Sequence, residues 1–158
     1  MRVLAFDPGY ERLGVAVLEK QNGKEALLFS ECFCTKKELA FSERLLLLGT
    51  EAERLIKRWK PDAVALEKVF FEKNKKTAMQ VAEVRGALSY IAAARGIETR
   101  QYTPLEVKAA ATGYGRAAKS EVALMVRRIL RIPAGKKLDD ELDAIAVGIT
   151  CLANSRRY

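Results

Sequence analysis

Apolar residues come in short runs near the start of the chain and at helical intervals further on, and this change of period outlines the elements. Residues 3–6 form one apolar run, 14–18 a second and 26–35 a third, each of strand length. Asn22-Gly23 lies between the last two and suits a two-residue hairpin turn, because both residue types tolerate positive φ. An antiparallel meander is expected. Over residues 41–59, Leu45, Leu48, Ala52, Leu55 and Ile56 recur at helical spacing until Pro61 forbids continuation. A short strand over 63–66 then ends on Glu67. A helix over 77–95 stops at Gly96, and a fifth strand spans 97–102. Thr103-Pro104 supplies an N-cap followed by proline at the first helical position, opening a short helix to about residue 111 that Gly113 ends. Residues 119–130 read as a helix, 133–137 as a loop and 138–153 as the terminal helix.

Three antiparallel strands followed by alternating helices and strands describe an α/β protein, a mixed five-stranded sheet flanked by helices. If the fourth strand runs parallel to the first, Asp7 and Glu67 meet at one sheet edge. In the terminal helix Leu138, Leu142, Ile145, Ile149 and Leu152 make an apolar stripe, with Asp140, Asp143 and Val147 on the other side. That second face turns apolar after its first turn, so the helix is expected to be covered there too, with the carboxylates at the rim of the covered region.

The 158 residues suit a single domain over 1–158, and 49% hydrophobic with 30% charged residues is the composition of a globular protein. Cys32, Cys34 and Cys151 are odd in number and lack CxxC spacing, which disfavours structural disulfides and zinc. No signal-peptide pattern precedes the first strand, and the longest apolar run, 144–153, is about half the roughly 20 residues that cross a bilayer. A reducing cytoplasm is expected.

The chain contains no histidine, yet Asp7, Glu67, Asp140 and Asp143 all stand at or near element ends. Oxygen-only ligands suit hard divalent cations such as Mg²⁺ or Mn²⁺, whereas zinc and copper sites lean on His and Cys. Lys and Arg number 28 against 20 Asp and Glu, and reserving four carboxylates for metal widens that excess, so a polyanionic substrate is expected. Each motif also has an ordinary reading. Asp7-Pro8-Gly9 could be a loop turn, and acids opening the terminal helix could complement its dipole. Glu67 resists such a reading, since an unpaired carboxylate ending an apolar strand is costly. Phe70-Phe71-Glu72-Lys73-Asn74-Lys75-Lys76 interleaves aromatics with cations, as base stacking with phosphate contact would require, or is a solvated loop with one anchoring Phe. Lys108 and Lys119 flank the Gly113-Tyr114-Gly115-Arg116 loop and could reach a phosphate near the acids. The alanine-rich helix 77–95, with Gly86 at its middle, allows close approach of another helix.

In this order the motifs resemble those of the RuvC family of Holliday-junction resolvases, over residues 3 to about 153. The elements that carry the resemblance are Asp7-Pro8-Gly9, Leu66-Glu67-Lys68-Val69-Phe70, Val107-Lys108, Ala118-Lys119-Ser120, and Asp140 with Asp143. It implies an RNase H-like fold and a homodimer. It also implies metal-binding catalytic roles for Asp7, Glu67, Asp140 and Asp143, base stacking by Phe70, and phosphate contacts by Lys108 and Lys119. Lys73, Lys75, Lys76 and Arg116 are expected to add to the DNA-binding surface. Tyr10-Glu11 after the Asp-Pro-Gly, and Lys68 where many members carry Gln, depart from the family pattern beside the site.

The expected activity is a Mg²⁺-dependent endonuclease, Mn²⁺ being able to substitute, with two metals per site about 3.5 to 4 Å apart. It would nick two strands of a four-way DNA junction symmetrically, with a branch-migration motor complex among the partners. The alternatives are a RuvX-like RNase H-fold nuclease acting on ribosomal RNA precursor and a junction-binding protein without cleavage.

Overall fold

The computed structural model describes residues 1–68, 75–133 and 139–155, with the backbone alone described at Lys75 and Lys76. The elements run β1 (Arg2–Asp7), β2 (Arg12–Gln21), β3 (Lys24–Cys34), α1 (Phe41–Trp59), β4 (Ala63–Glu67), α2 (Lys75–Ala93), β5 (Glu98–Tyr102), α3 (Pro104–Thr112), α4 (Lys119–Ile129) and α5 (Asp139–Ala153). The strands form one sheet in the order β3-β2-β1-β4-β5. β1, β2 and β3 pair antiparallel, whereas β4 lies parallel to both β1 and β5. The meander, the parallel fourth strand and the mixed α/β class therefore match the expectation.

Element ends differ where burial and hydrogen bonding part company. β2 and β3 pair out to Gln21 and Lys24, beyond their apolar runs. Polar side chains at a hairpin tip continue the ladder without burying anything, so a hydrophobic pattern cannot see them. Asn22 and Gly23 form the turn with φ of 51° and 77°. α2 begins two residues before the apolar period does and ends at Ala93, and Gly96 takes φ 69° in the turn that follows. Residues 69–74 and 134–138 lie outside the described residues. With them go Phe70, Lys73, Leu138 of the expected stripe and most of the expected 133–137 loop.

Strand alternation sorts the core into two layers. Leu4, Phe6, Leu13, Val15, Val17, Val64 and Leu66 face α1 and α2. Val3, Ala5, Ala16, Leu18, Ala63 and Ala65 face α5, α3 and α4. The second face is lined largely by alanine, which lets α5 settle close to the sheet. A Cβ on Gly148 would stand 2.3 Å from Leu18 Cδ1 and 3.4 Å from Ala5 Cβ. In α5, Leu142 and every residue from Ala144 to Leu152 are buried, so the helix is covered all round beyond its first turn.

Candidate active site

The alternation that buries Val3 and Ala5 carries Asp7 to the α5 face, and Ala63 and Ala65 do the same for Glu67. Phe6 pairs with Leu66 across the parallel β1–β4 ladder, so the two carboxylates leave adjacent strands at the same edge. Gly14 pairs with Asp7 on the other side. A Cβ on Gly14 would lie 2.0 Å from the Asp140 carbonyl oxygen and 3.1 Å from Asp7 Cβ. The backbone of α5 thus rests on the sheet where β2 has no side chain, and this contact seats its first turn over Asp7. The Asp139 side chain is 76% exposed against 19% for Asp140. Asp143 follows one turn on, three residues along the helix.

Four carboxylates from three elements therefore meet at the end of the central strand. Burial raises the Asp7 pKa to about 7, helped by repulsion from Asp143, Glu67 and Asp140. Glu67 is raised by burial and then by Asp143, against the pull of Lys119 and Lys108. Asp143 is raised by burial even though Lys119 Nζ stands 2.8 Å from its Oδ2. Lys119 Nζ also lies 3.8 Å from Asp139. Two helix starts aim the lysines. Thr103 and Glu106 form a capping box at α3, which carries Lys108, and Glu121 accepts from the Ala118 amide at 2.6 Å where α4 begins with Lys119. Lys108, Lys119, Glu67 and Asp143 line a cavity of about 260 Å³ with Val107 and Val122.

Arg116 is exposed in the turn between α3 and α4 and makes no ion pair among the described residues. Phe70 and Lys73 lie outside those residues, and the side chains of Lys75 and Lys76 are not described. Two neighbours of the cluster escaped the sequence reading: Arg12, whose Nε is 3.3 Å from Asp140 Oδ2, and Cys32, whose Sγ is 3.8 Å from the same oxygen. Period two would have found Arg12, since it lies two residues before Gly14 on the same face. Finding Cys32 needs the β2–β3 register, in which it pairs with Gly14. All three cysteines are free.

No three His, Cys, Asp or Glu side chains among the described residues are already drawn into a coordination cage. Lys119 supplies the positive charge instead. The donor chemistry nevertheless fits a hard divalent cation: the ligands are all oxygens and partly buried, and burial together with repulsion from neighbouring carboxylates raises Asp7, Glu67 and Asp143, a cost that a cation would relieve.

A mixed sheet in this strand order, with helices on both faces, defines the RNase H-like class. Within that class the chain belongs to the RuvC family, since the family model described as "Crossover junction endodeoxyribonuclease RuvC" matches residues 3–151. The curated RuvC of Ruminiclostridium cellulolyticum is 43% identical over 99% of this chain and 94% of its own length. That of Thermosipho melanesiensis is 39% identical over the whole of both chains. Thermus thermophilus RuvC, solved in complex with a Holliday junction substrate, superposes with a TM-score of 0.88 at 34% identity, covering 95% of this chain and 92% of that one. The yeast mitochondrial Holliday junction resolvase, at 11% identity and a TM-score of 0.70, shares the fold. No helix among the described residues is long and apolar enough to cross a membrane.

Proposed function

We propose that this chain is a divalent-metal-dependent endodeoxyribonuclease that resolves four-way DNA junctions by paired, symmetric nicks during recombination and repair. The observation that carries this reading is the convergence of Asp7, Glu67, Asp140 and Asp143, beside a cleft that also holds Lys108 and Lys119, in a chain of the RuvC family. The four carboxylates would hold Mg²⁺, two ions per site. When bound there, such ions supply an activated water and charge neutralisation at the leaving oxygen. The rest falls to the protein. Lys119, now paired with Asp143, would turn to a phosphate oxygen of the incoming strand, and Lys108 would hold a second. Phe70 would stack on a base opened at the crossover, with Lys73, Lys75, Lys76 and Arg116 adding phosphate contacts. The whole of 1–158 would act as one nuclease domain in the cytoplasm, where free cysteines persist.

A synthetic labelled junction, incubated with and without Mg²⁺ beside linear duplex and structured RNA, tests the reading. Selective, metal-dependent cutting of the junction is expected. Preferential cutting of the RNA would favour the ribosomal alternative, and binding without cutting would favour a junction-binding protein. Asp140 rather than Asp139 is assigned to the metal set, because Asp140 is enclosed and Asp139 projects to solvent. Asp140→Asn is accordingly expected to slow single-turnover cleavage about a hundredfold or more, and Asp139→Asn only a few-fold. The reverse ranking would transfer the role.

The working unit would be a homodimer, whose two-fold axis matches that of an open junction and gives one cut per subunit. α2 presents Met79, Glu83, Gly86 and Tyr90 outward along one stripe, with Met79 67% and Tyr90 75% exposed. A groove of about 410 Å³ beside it, lined by Leu45, Leu46, Gly49, Ala87, Tyr90 and Ile91, adds apolar surface. A Cβ on Gly86 meets nothing within 4 Å. Gly86→Trp should therefore leave the fold of the subunit intact and shift sedimentation from dimer toward monomer. An unchanged dimer would remove this helix from the interface.

A further inference from the structure

Beside the Asp-Pro-Gly turn lies a cavity of about 220 Å³ that the cleavage chemistry does not use. Tyr10 and Glu11, the residues that depart from the family pattern, form one wall; Leu39, Phe41 and Arg44 around the start of α1 form another; Gln80 of α2 closes it. Tyr10 and Phe41 meet edge to face, with centroids 6.1 Å apart and planes at 70°. Arg44 is buried and already committed. It donates to the carbonyls of Leu39, at 3.1 Å, and Lys37, stands 3.7 Å from the Glu11 carboxylate, and places its guanidinium 5.6 Å from the Tyr10 centroid. Its task is to hold the wall in place. The side-chain amide of Gln80, by contrast, makes no hydrogen bond among the described residues.

We infer that this cavity is a subsite for one unpaired nucleobase at the junction crossover, with adenine its preferred occupant, and that Gln80 and Glu11 set the base preference of cleavage. The inference rests on the nuclease reading above and adds the feature of the substrate that the site selects. Aromatic and aliphatic walls suit the flat face of a splayed base. The Glu11 carboxylate would repel a phosphate, and the Arg44 charge is already turned to that carboxylate and to two carbonyl oxygens, so the walls favour a base over the backbone. A glutamine amide can donate and accept together along an adenine edge, and a carboxylate accepts from an exocyclic amino group, which thymine lacks. Position agrees with chemistry. Tyr10 is three residues beyond Asp7, and Gln80 adjoins Met79 on the stripe assigned to the dimer. The cavity opens beside the Asp-Pro-Gly turn on the α1–α2 side of the sheet, so a base splayed from the crossover would reach it around the strand edge that carries Asp7.

The test uses the full chain with Mg²⁺ and a set of junctions that differ only in the base at each position flanking the crossover. Wild type should prefer adenine about tenfold at one position, the scale of one good bidentate contact. Gln80→Leu should bring the four bases to near parity, with the loss falling on the adenine junction. Wild type that cuts all four equally, or Gln80→Leu that slows all four alike, overturns the subsite and leaves the nuclease reading standing. Wild type that cuts no junction counts against the nuclease reading itself. A second arm is independent of cleavage: 2-aminopurine at the preferred position should be quenched on binding to Asp7→Asn protein, and the quenching lost when Tyr10→Ala is added. Fluorescence that does not respond to Tyr10→Ala at any crossover position also overturns the subsite.

Discussion

Asp7→Asn is expected to lower junction cleavage by about a thousandfold or more, the scale of losing one member of a cooperating catalytic set. Junction affinity should persist, because removing a negative charge beside phosphates does not weaken attraction to DNA. The same substitution should stabilise the metal-free protein at neutral and alkaline pH. Asp7 has an ordinary carboxyl pKa of 3.8 and one of about 7 in the fold. The folded state therefore holds its proton where the unfolded chain has released it. Stability on this account is fully present below about pH 4, falls as pH rises from about 4 to about 7, and is level beyond. Three units correspond to up to about 4 kcal/mol. In chelator at pH 8, Asp7→Asn should melt above wild type, and the gap should close near pH 4. A variant that is inactive yet melts below wild type at pH 8 would mean that the carboxylate is a structural ligand and that its loss disorders the site.

Gly14→Ala should be nearly as damaging without touching a charged group. The added methyl would sit 2.0 Å from the Asp140 carbonyl oxygen, so the first turn of α5 must lift or β2 must bend. Neither is easily done, since α5 is buried on every side beyond that turn. Overpacking of this kind costs about 1 to 3 kcal/mol, and displacement of a reactive group by about 1 Å can slow a reaction about a hundredfold. The expected result is a lower melting temperature together with a cleavage loss of about that size at 25 °C, where the variant is still folded. Full cleavage by Gly14→Ala would show that Asp140 tolerates a displaced backbone.

Why so much of this site was legible follows from parity. Alternation along β1 and β4 says which way Asp7 and Glu67 point once Val3, Ala5, Ala63 and Ala65 are assigned to one face, and the i, i+3 spacing of Asp140 and Asp143 does the same for α5. The parallel pairing of β1 with β4 remained conditional in the sequence, because strand direction depends on the path of α1 across the sheet. Arg12 was within reach of the same parity argument. The Lys119–Asp143 pair and the Tyr10–Phe41–Gln80 cavity were not, as each joins elements far apart in the chain through tertiary approach alone. The long polar end of the β2–β3 hairpin was missed for a different reason: backbone hydrogen bonds extend a ladder where there is nothing to bury.

The alanine-lined face under α5 also bears on synthesis. α5 is the last element in chain order, and it covers β1 and β2, which are among the first. Until it docks, Val3, Ala5, Ala16, Leu18 and Ala65 form an uncovered apolar surface, and Asp7 and Glu67 lack Asp140 and Asp143. A nascent chain on the ribosome, or one cut short before residue 139, would thus be both inert and marked by exposed sheet for chaperones and proteases. On the proposed assignment of Asp140 and Asp143, cleaving capacity would be completed by the same docking event that hides this surface, and an unfinished molecule would have little chance to nick DNA.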